Sequence, residues 1–190
     1  MSFQQNDKVA ILGGNGSGKS TLLQIISGYL TPSEGSVSWT NRQKQIGVAE
    51  VFRSVSLATP YMSLYDEFTL EENYHFFTSF KALLNVTTAI EFAHEIELTK
   101  ALKKPLKEFS SGMRQRVKLG LAIMADSDFL LLDEPSSHLD ANAIEWYNKL
   151  VLKYAAERIV FVASNKEESE IPFCNKRIEI ADFKPSGARA

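Results

Sequence analysis

One stretch constrains this chain more than any other: Gly13-Gly14-Asn15-Gly16-Ser17-Gly18-Lys19-Ser20-Thr21. From Gly13 to Ser20 it fits G-x-x-x-x-G-K-[ST]. It follows the apolar run Val9–Leu12 and precedes a helical pattern that stops at Gly28. The pattern is informative only in that strand–loop–helix context. Glycines let successive backbone N–H groups turn inward around one phosphate, and the next helix aims its positive end at the same point. Lys19 supplies a point charge for β- and γ-phosphates. The Ser20 hydroxyl suits Mg²⁺, and Thr21 suits an α-phosphate oxygen. The competing reading is a glycine-rich turn with an incidental lysine. The flanking strand and helix count against it.

A second constellation lies far along the chain. Phe129–Asp133 reads as a buried apolar strand that ends in an acid, with Glu134 and Pro135 next. In open α/β sheets, ligands bind outside the carboxyl ends of the strands. Asp133 is therefore expected beside the glycine loop, holding Mg²⁺ directly or through water. Glu134 is expected to face the γ-phosphate and polarise an attacking water. Acids also commonly end strands simply as solvated groups, so this pair gains its meaning from the loop.

The rest of the chain reads as alternating strands and helices at both ends. Strands are expected at Ser36–Trp39, Val55–Ala58 and Ile159–Ala163, with a more exposed one at Lys176–Asp182. A helix is expected over Ala141–Ala156. Between Glu71 and about Ala125 the pattern is helical, in three successive segments at 72–80, 87–98 and 113–125. The predicted fold is α/β, with a mostly parallel sheet interrupted by an all-helical insert. A chain of 190 residues suits one domain, and 44% hydrophobic with 23% charged residues suits a globular one. A net charge of -2 gives no reason to expect nucleic acid or an anionic membrane as direct partner. No apolar run is long enough to span a bilayer, so any membrane role must come through a partner. The single cysteine, Cys174, reads as an ordinary side chain. His75 and His94 sit in helical patterns without metal-like partners and read as structural.

Two further stretches fix the class. Phe109-Ser110-Ser111-Gly112-Met113-Arg114-Gln115-Arg116 precedes the acidic strand, and Ser137-His138-Leu139-Asp140 follows it. Glycine loop, helical insert, S-x-G-x-x-Q-R, the strand ending in Asp133-Glu134-Pro135, then His138-Leu139-Asp140: this order resembles the ATP-binding-cassette (ABC) ATPase family over essentially the whole chain. The resemblance implies a P-loop NTPase core at 1–59 and 127–190 and a helical subdomain at 60–126 carrying the signature motif. It implies ATP and Mg²⁺ as ligands and an Mg-dependent ATPase that serves a transporter. ATP would be held by Gly13, Gly14, Asn15, Gly16, Ser17, Gly18, Lys19, Ser20 and Thr21. Ser20 and Asp133 would hold the metal, and Glu134 and Lys19 would act in hydrolysis. Ser110 and Gly112, at the start of a helix, would reach the γ-phosphate held by a second cassette. That second cassette would be a like or unlike ABC ATPase. Further partners would be transmembrane permease subunits, which would keep the chain peripheral on the cytoplasmic face of the cell membrane. Tyr61, Met62, Leu64, Tyr65 and Phe68 lie where the family docks its membrane partner, or else form the core of the insert. Arg114, Arg116 and Lys118 read either as part of a binding surface or as a solvated face.

The sequence also departs from the family pattern. Phe109, Ser111 and Met113 replace the usual signature residues, while Ser110 and Gly112 remain. Pro60 stands where a glutamine normally joins core to insert. Asn165 stands where the last buried strand normally ends in a histidine touching the γ-phosphate; an amide can donate a hydrogen bond but does not titrate. The glycine loop comes early, and the family's leading β-strands, one bearing an adenine-stacking aromatic, are expected to be missing. Phe3 is the one candidate stand-in. Two alternatives to a transporter ATPase remain: a nucleotide-gated dimerisation switch with weak or no hydrolysis, and a soluble cassette protein outside transport.

Overall fold

The computed structural model describes residues 1–41, 44–165 and 168–183. In chain order its main elements are β1 (Lys8–Leu12), α1 (Lys19–Ile26), β2 (Trp39–Asn41), β3 (Lys44–Ile46), α2 (Val51–Ser54), β4 (Val55–Ala58), α3 (Leu70–Thr78), α4 (Ala89–Glu95), α5 (Ser111–Met124), β5 (Phe129–Asp133), α6 (Ala141–Tyr154), β6 (Ile159–Ser164) and β7 (Lys176–Glu179). Short 3₁₀ turns link several of them.

Five strands form one sheet in the order β4-β5-β6-β1-β7, and every pairing in it is parallel. Side chains alternate between the two faces. Ala10, Leu12, Leu130, Leu132, Val160 and Val162 enter one buried cluster with residues of α3, α4, α5 and α6. Val9, Ile11, Leu131, Phe161 and Ala163 enter the other, with Leu23, Trp39 and Val51. Apolar side chains on both faces are what a parallel sheet covered on both sides requires. This is why β1, β5 and β6 read as unbroken apolar runs.

The predicted strand at Ser36–Trp39 is displaced. Only Trp39 is extended, and it opens the antiparallel pair β2–β3. Its indole N–H donates to the Ile26 carbonyl at 2.8 Å. The alternation in Ser36–Trp39 reflects this one anchored ring. The three helical segments read between Glu71 and Ala125 are α3, α4 and α5. Thr69 and Thr88 each form a capping box, with Glu72 and Glu91 respectively, and so start new helices. Phe3 packs edge-on against Phe161 with ring centroids 5.0 Å apart. Its ring is committed to a sheet face.

The edge of the sheet away from the glycine loop is tied by Arg158, which is 6% exposed. Its guanidinium donates to the Ile123 carbonyl and the Ser56 hydroxyl, both at 2.6 Å, and to the Ser127 hydroxyl. Burial lowers its pKa to about 10, opposed by Asp126 and Asp128. Replacing Arg158 with Ala strands these acceptors in the interior. The expected loss of unfolding free energy in urea titrations is about 3 kcal/mol, and Arg158→Lys is expected to recover part of it.

Candidate functional site

The register of the sheet assembles the site. Leu12 lies opposite Ser164, and Asp133 opposite Ala163. The segments that follow β1, β5 and β6 therefore leave the same sheet edge side by side. They carry the glycine loop, Glu134 and Asn165.

In the glycine loop, Gly18 precedes α1 with φ 108, a left-handed conformation that side chains rarely adopt. The loop closes with the Ser17 N–H donating to the Gly14 carbonyl at 3.1 Å. The first N–H groups of α1 have no intrahelical partner, and no acid in its first turn competes for them. Lys19 is 4% exposed. Its ammonium donates to the Gly13 carbonyl at 2.9 Å, the Gly14 carbonyl at 3.2 Å and Asn165 Oδ1 at 2.6 Å. Glu134 Oε1 lies 4.0 Å away and accepts from Asn165 Nδ2 at 2.9 Å. The Asn165 amide thus faces Lys19 with its carbonyl and Glu134 with its NH₂.

Glu134 itself has φ 47. Such a conformation in a non-glycine residue costs about 1–3 kcal/mol and persists only where the surroundings impose it. Here the Glu134 N–H donates to the Ala163 carbonyl at 2.9 Å, and the Ser137 N–H closes a turn onto the Glu134 carbonyl at 3.1 Å.

Asp133 is 3% exposed. Desolvation raises its pKa, opposed by a hydrogen bond from Ser20. Its Oδ1 is buried without a hydrogen-bond partner. A desolvated carboxylate with an unpartnered oxygen beside a serine hydroxyl fits a small divalent cation of Mg²⁺ type. Among the described residues no group of three or more His, Cys, Asp or Glu could hold a metal. A site completed by phosphate oxygens and water does not need one.

The predicted helix start at the signature stretch is α5. Ser110 caps it, its side chain accepting from the Met113 N–H at 3.2 Å. Gly112 has a structural reason within its own chain, because a Cβ there would approach the His138 carbonyl to 3.1 Å. Phe109 is 6% exposed and packs in the core. Ser110 and Gly112 lie on a different element from the glycine loop. His138 is exposed, with φ 66.

The sequence reading understated Gln115. Its Nε2 donates to the Pro135 carbonyl at 2.9 Å in the interior, and so ties α5 to the loop that carries Glu134. Its place in S-x-G-x-x-Q-R was the available signal. The basic residues of α5 are tethered. Arg114 pairs with Asp66, Arg116 pairs with Glu97 at 2.6 Å and stacks on Trp146, and Lys118 donates to the Pro60 carbonyl at 3.1 Å.

The profile of the ABC transporter family matches residues 1–137. The chain belongs to the ABC transporter family. The uncharacterized ABC transporter ATP-binding protein YybJ of Bacillus subtilis (strain 168) is 26% identical over 180 residues, covering 94% of this chain and 82% of that protein. ATP-binding cassette sub-family A member 2 of Rattus norvegicus is 24% identical over 168 residues. That match covers 87% of this chain but only 7% of the much longer relative. Among solved structures, the post-hydrolysis dimer of the ATP-binding cassette MJ0796 bound to ADP and Pi superposes with a TM-score of 0.77 at 21% identity. It covers 94% of this chain and 83% of that one. At that identity the likeness carries the fold: mixed α/β with a mostly parallel sheet. This ABC cassette is thus an ATP-binding member of an ATPase family. Among its described residues no helix is long and apolar enough to cross a membrane.

Asp133→Asn removes the desolvated charge. In nucleotide-free protein it is expected to raise Tm by about 2–4 °C, the shift that about 1 kcal/mol gives in a chain of this size. A differential scanning measurement without Mg²⁺ checks it. Unchanged or lowered stability would contradict an uncompensated charge at Asp133.

Proposed function

We propose that this cassette binds Mg·ATP in the Gly13–Thr21 loop, closes as a dimer around it, and hydrolyses it to drive membrane permease subunits. The observation that carries the reading is the Lys19–Asn165–Glu134 hydrogen-bonded set at the ends of β1, β5 and β6. It puts a cation, an amide and a carboxylate around one point beside the loop.

In this reading Lys19 exchanges the carbonyls of Gly13 and Gly14 for β- and γ-phosphate oxygens. Loop N–H groups and the start of α1 hold the remaining oxygens. Ser20 and Asp133 hold Mg²⁺, which neutralises developing phosphate charge when bound. Glu134 accepts a proton from the attacking water, and Asn165 orients Glu134 while offering its amide to the γ-phosphate. Ser110 and the first N–H groups of α5 meet the γ-phosphate held by the partner cassette. Loss of that phosphate removes the contact both cassettes share, and the dimer opens.

The 60–126 segment acts as the helical subdomain, with the core on either side of it. A cavity of about 500 Å³ lined by Pro60, Met62, Leu64, Lys118, Glu134 and His138 joins this segment to the core. Tyr61 and Tyr65 are 84% and 50% exposed beside it, while Leu64 packs against the core. A cytoplasmic segment of the permease fits this surface and would hold the chain at the inner face of the membrane. Support for dimer closure comes from the fold shared with the dimeric MJ0796 cassette.

A second reading, a switch that dimerises on ATP with little hydrolysis, is favoured by Asn165 in place of an imidazole. Turnover of the purified protein decides between the two.

Glu134→Gln is expected to lower phosphate release at least about 100-fold while leaving ATP binding intact. Sedimentation of that variant is expected to show a dimer with Mg·ATP and a monomer without. Undiminished release would remove Glu134 from the proton-accepting role, and a monomer at saturating Mg·ATP would refute the clamp.

A further inference from the structure

Glu170 lies outside every motif described above. It ends the 3₁₀ turn Glu168–Glu170 that follows β6 and is 2% exposed. Its Oε1 accepts from both the N–H and the hydroxyl of Ser136, each at 3.1 Å. Its Oε2 accepts from the Ser164 hydroxyl at 2.5 Å. Ser136 closely follows Glu134, and Ser164 immediately precedes Asn165. One interior carboxylate therefore grips both segments whose side chains meet at the candidate site.

This placement bears on the geometry of both segments. Asn165 is exposed and reaches inward to Lys19 and Glu134. Glu134 is held left-handed, and its turn continues with the Leu139 N–H donating to the Ser136 carbonyl at 2.9 Å. Fixing Ser136 through both its N–H and its hydroxyl fixes the start of that second turn. Fixing Ser164 sets the point from which Asn165 departs. Burying a carboxylate is costly unless its acceptor capacity is used, and among the described residues three donors, on the Ser136 turn and at the end of β6, use it.

We propose that Glu170 is a positioning residue that sets the separation of Glu134 and Asn165 by clasping Ser136 and Ser164. It acts through those serines and touches no phosphate. Its effect on turnover rests on the proposed function, in which Glu134 and Asn165 serve hydrolysis. Its effect on loop geometry does not.

The test compares the full chain with Glu170→Ala, Glu170→Gln and Ser164→Ala. Glutamine keeps an acceptor for Ser136 and can donate to a reoriented Ser164 hydroxyl. Glu170→Ala is expected to lower kcat for ATP about 10- to 100-fold, as small misplacements of reacting groups do, while the KM stays within about threefold. Glu170→Gln is expected to restore most of the rate. Ser164→Ala, which removes the contact to Glu170 Oε2, is expected to fall between and serves if Glu170→Ala does not fold. Amide hydrogen exchange is expected to speed up in Glu170→Ala both at 134–138 and at 163–165, with the glycine loop unchanged. A folded Glu170→Ala with wild-type kcat overturns the proposal, as does a loss borne equally by KM, or a Glu170→Gln variant as impaired as the alanine. A wild-type chain that does not hydrolyse ATP would sink the hydrolytic reading instead. The clasp would then stand on exchange alone and fall if only one of the two segments loosened.

Discussion

The parallel register of β1, β5 and β6 is the constraint on which the rest depends. Leu12 opposite Ser164 and Asp133 opposite Ala163 bring three loops to one edge. The register is fixed by burial on both faces. A slip by one residue would exchange the two apolar clusters and carry Glu134 away from Asn165. Packing thus sets the geometry of the polar site, because the side chains of each strand fit the cluster on their own face and not the one on the other.

The site tolerates local costs that the core compensates. Glu134 and His138 are left-handed, and Asp133 Oδ1 and Ser17 Oγ are buried without partners. Costs of this kind gather where a fold is organised around something it binds. Two of the unmet groups, Ser17 Oγ and Asp133 Oδ1, lie at the glycine loop and the end of β5. At the opposite edge, the Lys8 ammonium reaches the carbonyls of Ala156 and Arg158 at 2.9 and 2.6 Å, and the Lys81 ammonium caps the carbonyls of Phe52, Arg53 and Val55. Long basic side chains thus cover the carbonyls at that edge.

Legibility followed the range of the interactions. β4 and β5 matched the strands read from the sequence residue for residue, and β1 and β6 each differed by one residue at one end, because unbroken apolar runs between turn signals are local. The glycine loop was readable because its function is carried by backbone and spacing. The insert was legible as three separate apolar segments, and the capping boxes of Thr69 and Thr88 fix where two of them begin. Trp39 mimicked a strand because one anchored aromatic stands beside small residues. Glu170 and Gln115 were opaque for another reason. Each acts through partners distant in sequence, Gln115 on Pro135 and Glu170 on Ser136, and a lone acid or amide carries no periodicity to announce that. Pro60 and Asn165 were visible only as departures from a pattern. Asn165 bridges Lys19 and Glu134, and the Pro60 carbonyl accepts from Lys118.

The tethers on α5 divide into stiff and soft. Gln115 holds Pro135 in the interior, and Val117 and Leu119 through Met124 are buried, so this helix is packed against the core along most of its length. Its links to the 60–66 loop are different. Arg114–Asp66 is a partly exposed pair, and Lys118 reaches Pro60 at the surface. Exposed pairs of this kind are worth about 0–1 kcal/mol each. A glutamine side chain would add a directed link between loop and site; proline offers only its carbonyl, pointed away toward α5. Among the described residues, the polar contacts that join the 60–66 loop to the segment carrying Glu134 run through α5, from Pro60 and Asp66 to Lys118 and Arg114 and from Gln115 to the Pro135 carbonyl.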